Sequence, residues 1–185
     1  MVTANDIKSG NSIIYEGNIY LVLDSQHNKT AMRQMIIKVK VKNMRTGSTV
    51  ELSFTGGEKV ELAHIDKKEM QYLYDAGAAV VFMDTDTYEQ IEINKENLEW
   101  ELNFLKANAM IQIQMYNGEI LGVILPDKMP LQIVECEPAV KGDTATNALK
   151  NAVLETGLNI KVPMFINNEE VVLVSTADGK YSSRA

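Results

Sequence analysis

Hydrophobic and polar positions alternate along much of this chain. Ile37, Val39 and Val41 take turns with Lys38, Lys40 and Lys42, and Ile111, Ile113 and Met115 with Gln112, Gln114 and Tyr116. Ile91 and Ile93 do the same with Gln90 and Glu92. A period of two puts one side of an extended segment on a core and the other in water, so these stretches predict strands. The apolar runs at 80–83 and 171–174 predict shorter strands buried more deeply. Gly17-Asn18, Thr46-Gly47, Asn117-Gly118 and Asp178-Gly179 fall between strand-like segments. Such pairs supply the positive φ angles of tight hairpin turns.

Only residues 94–108 (NKENLEWELNFLKAN) break the pattern toward a helix. Leu98, Leu102 and Leu105 recur at helical spacing, Asn94 stands where a cap is expected, and Trp100 lies off the stripe, suited to covering a barrel end. Residues 143–154 (DTATNALKNAVL), polar and small at their start, read as a long loop. The fold class expected is all-β: three small β-barrels in series with one short helix in the middle domain.

Charge sharpens the division into thirds. Residues 1–64 hold eight Lys/Arg against six Asp/Glu, residues 65–127 four against twelve, and residues 128–185 six against seven. The domain boundaries expected are therefore 1–64, 65–127 and 128–185, the last break marked by Pro126 and Pro130. Each third is close to the smallest size that sustains its own core. No acid occurs between Asp24 and Glu51, where Lys29, Arg33, Lys38, Lys40, Lys42 and Arg45 sit. Two readings fit that segregation equally: a surface facing a polyanion, or a solvated strand edge kept from aggregating by lysines.

The 185 residues are 45% hydrophobic and 23% charged, an ordinary balance for a globular protein. The opening MVTANDIKSG has no apolar core behind a basic start, so no secretory signal is expected, and no apolar run approaches membrane-span length. A lone cysteine, Cys136, rules out an internal disulfide and fits a cytoplasmic protein. Its alternation with Val134 marks a packed strand thiol rather than a nucleophile. His27 and His64 lack ligand partners at metal spacing, and neither a nucleophile elbow nor a phosphate loop is present. No catalytic residue, cofactor site or metal site is expected, and the chain reads as a non-enzyme.

Long ungapped segments carry a resemblance. MQYLYDAGAAVVFMDTDTYEQIEI (residues 70–93) is similar to the second domain of the bacterial translation elongation factor P family. ILPDKMPLQIVECEPAVKGDTA (124–145) and LETGLNIKVPMFINNEEVVLVSTADGKYSSRA (154–185) resemble its third domain, and NMRTGSTVELSF (43–54) the end of its first. The resemblance is nearly collinear over the whole chain. It implies an SH3-like first domain and two OB-like domains. It also implies a monomer that binds both ribosomal subunits between the P and E sites, contacts rRNA and P-site peptidyl-tRNA, and relieves stalling at consecutive prolines. A generic OB-type single-strand RNA-binding protein is the alternative, and it requires exposed aromatics interleaved with basic residues.

The resemblance also assigns residues. Lys29, Thr30, Ala31, Met32, Arg33 and Gln34 occupy the tip loop that in the family reaches toward the peptidyl-transferase centre. Gly142, Asp143 and Thr144 match the loop facing the E-site codon. Tyr181 and Arg184 match positions near the small subunit and the P-site tRNA. Unaided by the resemblance, Tyr181 reads as a strand aromatic on a barrel face and Asp143 as a turn former. The tip departs from the family's frequent Pro-Gly-Lys-Gly, which falls here on Thr30-Ala31-Met32-Arg33. The position of the modifiable lysine is Met32, and a thioether cannot form the amide that such a modification needs.

Overall fold

A computed structural model of the chain describes residues 1–28, 35–139 and 148–185. The predicted tip, Lys29 to Gln34, and the predicted codon loop, Gly142 to Thr144, lie outside the described residues.

The architecture is all-β, as the alternation predicts, with three β-sheet domains. The first sheet contains β1 (Val2–Thr3), β2 (Ser12–Tyr15), β3 (Asn18–Asn28), β4 (Ile36–Asn43), β5 (Thr49–Thr55) and β6 (Lys59–Leu62), in the order β1-β6-β2-β3-β4-β5. The second contains β7 (Asp66–Asp75), β8 (Ala79–Asp84), β9 (Gln90–Asn94), β10 (Met110–Tyr116) and β11 (Glu119–Ile124), in the order β11-β10-β7-β8-β9. The third contains β12 (Lys128–Cys136), β13 (Leu149–Leu154), β14 (Asn159–Pro163), β15 (Val171–Ser175) and β16 (Tyr181–Arg184), in the order β14-β13-β12-β15-β16. Two compact units result: residues 1–67 with 114–122, and residues 68–113 with 123–185.

In the first unit, Ile37, Val39 and Val41 are fully buried and pack with Ile7, Ile13, Val22 and Phe54. Their lysine neighbours on β4 point outward. β4 lies between β3 and β5, so its lysines do not guard a sheet edge. That removes the edge-protection reading of the basic run. The β4–β5 hairpin turns on Asn43, whose buried side-chain oxygen accepts the backbone N–H groups of Arg45 (2.9 Å) and Thr46 (3.1 Å).

In the second unit a core cluster joins β12, β13, β14 and β15 to Phe104 and Ala109. The expected helix over 94–108 is replaced by two 3-10 turns, Lys95–Asn97 and Glu101–Asn103. Asn94 makes no capping side-chain bond. The backbone leaves helical geometry at Leu98 (φ −131°, ψ 23°), which lets Leu98 and Phe104 both enter the interior. The Asn103 side chain donates to the Trp100 carbonyl (3.0 Å), a local bond that competes with helix continuation. Tertiary packing overrides a modest helical preference here.

Two further expectations change. Residues 149–154 form β13 rather than part of a loop; its inward positions are Lys150, Ala152 and Leu154, a pattern too polar and small to read as strand. The run at 171–174 alternates, with Val172 and Val174 buried and Val171 largely exposed. In β12 Val134 faces solvent by ordinary alternation, and an irregularity between Ile133 and Glu135 leaves Glu135 exposed and Cys136 half-buried.

Candidate nucleic-acid interface

Around the tip, the structure fixes the roots. Asn28 and Ile36 are register partners at the ends of β3 and β4. Met35 packs on the first core, and its carbonyl accepts the Gly56 N–H at 2.8 Å. Gly56 is tightly packed: a Cβ there would sit 3.0 Å from Asn5 Oδ1 and 3.3 Å from Met35 Cβ, so a larger residue would have to push them aside. An open groove of about 590 Å³ lies beside this root, lined by Asn5, Met35, Thr55, Gly56, Gly57 and Glu58.

The basic run is less free than its sequence suggests. On the outer face of the sheet, Lys40 stands between Asp24 and Glu51 in register. Lys38 is 3.0 Å from Glu51. Arg45 forms a two-pronged pair with Glu119, Nε and Nη2 each donating at 2.8 Å, while Nη1 donates to the Gly17 carbonyl at 2.9 Å. Paired with Arg45, the Glu119 carboxyl titrates below its usual range. Arg45 is thus committed to holding the 114–122 hairpin within its unit.

At the other end of the chain, β16 carries both predicted residues. Tyr181 is half-buried and packs against the core of its sheet, so it is a strand aromatic with a limited open edge. Arg184 is half-exposed, and its guanidinium lies 4.9 Å from the centre of the Phe165 ring. Its Nη2 donates to the Phe165 carbonyl (3.3 Å), and its Nε is 3.1 Å from Glu170 Oε2. The other Glu170 oxygen accepts from the Asn167 backbone (3.2 Å) and side chain (3.0 Å). Sequence reasoning missed Phe165 and Glu170. No local signal marks them: Phe165 lies in the turn after β14 and Glu170 just before β15, and only the folded sheet brings them to Arg184 on β16.

The turn before β16 is set from the 94–108 segment. Trp100 Nε1 donates to the Thr176 carbonyl at 2.8 Å, and its ring meets Phe104 edge-on at 5.3 Å between centroids. Gly179 (φ +69°) passes beneath it; a Cβ there would lie 3.3 Å from the indole. Trp100 therefore covers the sheet end, as its off-stripe position suggested.

One acidic turn stands out in the 65–127 segment. Asp84 is buried, and its Oδ1 accepts the backbone N–H groups of Asp86 (2.8 Å) and Thr87 (3.2 Å). Those bonds, with Lys68 at 3.3 Å from Oδ2, outweigh the cost of burial and hold the carboxyl below its usual range. Among the described residues no group of three or more His, Cys, Asp or Glu side chains is arranged to hold a metal ion, and no helix is long and apolar enough to cross a membrane.

Comparison with known proteins covers nearly the whole chain. Residues 3–60 match the elongation factor P KOW-like domain, residues 65–123 the elongation factor P OB domain, and residues 129–184 the elongation factor P C-terminal domain. An elongation factor P from Mesoplasma florum is 54% identical over 184 residues, covering 100% of both chains. One from Mycoplasma mycoides subsp. mycoides SC is 52% identical over the same length and coverage. Among solved structures, a eukaryotic translation initiation factor 5A from Methanococcus jannaschii superposes with a TM-score of 0.54 at 24% identity, covering 66% of this chain and 92% of that one. A translation initiation factor eif-5a family protein from Naegleria fowleri gives 0.53 at 14%, covering 67% and 96%. Those two likenesses concern the fold alone. With three consecutive domain matches and full-length relatives above half identity, the chain belongs to the elongation factor P family of translation elongation factors.

Proposed function

We propose that this protein binds the ribosome between the P and E sites, positions the peptidyl-tRNA, and thereby promotes peptide-bond formation at consecutive prolines. The observation that carries the reading is the unbroken series of three family domains, matched end to end by full-length relatives. On this reading the domains are 1–64, 65–127 and 128–185. Lys29 to Gln34 reach toward the peptidyl-transferase centre, Gly142 to Thr144 face the E-site codon, and Tyr181 and Arg184 contact RNA near the small subunit. The factor works as a cytoplasmic monomer and makes no covalent bond. Its contribution is to hold the reacting ends in place, converting lost freedom of motion into rate.

The charge distribution is compatible with this placement. The acidic 65–127 segment is directed away from RNA, while the 1–64 and 128–185 segments make the tRNA and rRNA contacts. A generic single-strand RNA binder fits less well. Among the described residues, Arg184 over Phe165 is the one cation stacked on an aromatic ring, not part of an interleaved stripe. Binding to ribosomes programmed with a P-site tRNA tests the reading. Affinity should drop steeply when deacylated tRNA fills the E site, and should fall with salt as each counterion released from phosphate gains less entropy. Binding indifferent to E-site occupancy removes the proposed location.

A further inference from the structure

Phe165 is 58% exposed, yet it is not a loose side chain. It follows Pro163 at the end of β14 and precedes Ile166, which is fully buried. Its carbonyl is held by Arg184 Nη2, and Glu170 fixes both Arg184 and Asn167 around it. The guanidinium covers one face of the ring. Leu149, 53% exposed, stands opposite Pro163 in the β13–β14 register, two residues from Phe165. An aromatic ring is thus presented to solvent on a rigid turn, backed by a cation and flanked by a second exposed apolar side chain. Among the described residues Arg184 Nη1 donates no hydrogen bond to protein.

We propose that Phe165 is a stacking platform for an RNA base or ribose, with Arg184 as the residue that positions the ring and offers its free N–H groups to the adjoining phosphate. This rests on the ribosome-binding reading above and adds to it a contact residue. The chemistry favours a nucleotide over a protein side chain. Ring stacking is tolerant of base identity, and a guanidinium stacks on an aromatic plane while donating in that plane to phosphate oxygens. Glu170, 3.1 Å from Arg184 Nε, offsets part of its charge, so the ring's own contribution is stacking rather than net attraction. That sets it apart from ordinary phosphate contacts, which carry the salt dependence.

The test uses the full chain and ribosomes carrying a P-site peptidyl-tRNA stalled on a Pro-Pro-Pro message. Dissociation constants are measured at several salt concentrations for wild type, Phe165→Leu and Phe165→Trp. Leucine keeps apolar bulk without a π face; tryptophan keeps the face. Phe165→Leu should weaken binding roughly five- to 100-fold, the range for losing one base stack. Phe165→Trp should stay within about two-fold of wild type, and the slope of log K against log salt should be the same for all three. Leucine binding as well as phenylalanine overturns the proposal. Equal losses for leucine and tryptophan also overturn it, since they indicate a shape-fitted protein contact. A changed salt slope overturns it as well: Arg184 and its phosphate contact are retained in all three, so the ring would then act through charge rather than by stacking. Thermal unfolding of each variant separates these outcomes from misfolding; Phe165→Met replaces an unfolded leucine variant and Phe165→Tyr an unfolded tryptophan variant, each with the expectation of the variant it replaces. If wild type itself does not bind, the ribosome reading fails, a result distinct from any ranking of variants.

Discussion

Replacing Gly179 with alanine tests the packing that places β16. Two costs arise. The residue sits at φ +69°, and an L side chain in that region costs roughly 1–2 kcal/mol. The added Cβ would also lie 3.3 Å from the Trp100 ring, closer than the ~3.5–4.0 Å at which carbon atoms attract. The indole cannot yield freely, because Nε1 is bonded to the Thr176 carbonyl at 2.8 Å and the ring rests on buried Phe104. Stretching that bond gives up about 1 kcal/mol, for a total near 2–3 kcal/mol. Gly157 is the control: its φ is +87° in the same unit, and a Cβ added there would meet nothing within 4 Å, so Gly157→Ala should cost only the conformational ~1–2 kcal/mol. Urea unfolding followed by the fluorescence of the sole tryptophan reads the unit directly. A double-mutant cycle with Trp100→Phe, followed by circular dichroism, isolates the contact: the smaller ring vacates the clash, and Gly179→Ala should fall to the Gly157 value. Equal costs for Gly179→Ala with and without Trp100 would show that the indole contact contributes nothing.

Asp84 has a folded pKa below its usual value, so its contribution to stability is full above the ordinary carboxylate pKa and is lost as pH falls through the depressed folded value. The urea midpoint of wild type should therefore drop in acid more steeply than that of Asp84→Asn; parallel curves would show that Asp84 is not the titrating group. In stall relief, Arg33→Ala should lose more activity than Met32→Ala, because a fixed charge near tRNA phosphates matters more than a replaceable thioether; the opposite order refutes that ranking. Intact mass of the native protein should show no addition on Met32 other than oxygen, and any amide-linked adduct mapped there contradicts the chemistry.

Much of the fold is legible in the sequence because its inward positions are chemically plain. Ile37, Val39 and Val41 alternate with lysines, and β4 forms where that alternation says. β13 escapes because two of its inward positions are Lys150 and Ala152, which carry no hydrophobic signal. The 94–108 segment misleads for the converse reason: Leu98 and Leu105 both face inward, as a helical stripe requires, but two separate turns satisfy them equally well. Charge is harder to read. Arg45 belongs to an acid-free run in sequence, yet its partner Glu119 lies 74 residues away. The C-terminal site is similar, since Phe165 stands 19 residues from Arg184, next to a strand at the opposite edge of the sheet order, and only the folded sheet joins them. Tyr181 and Arg184 are identified by resemblance to a family, while their neighbours are visible only in the folded chain.

On the proposed reading, this protein relieves stalling at consecutive prolines by positioning peptidyl-tRNA. Cell-free translation of a Pro-Pro-Pro message with ribosomes from the protein's own source tests it most directly. Adding the protein should release the stall and leave a matched message without the proline run unchanged. A stall of undiminished strength in the presence of folded, ribosome-saturating protein would contradict it.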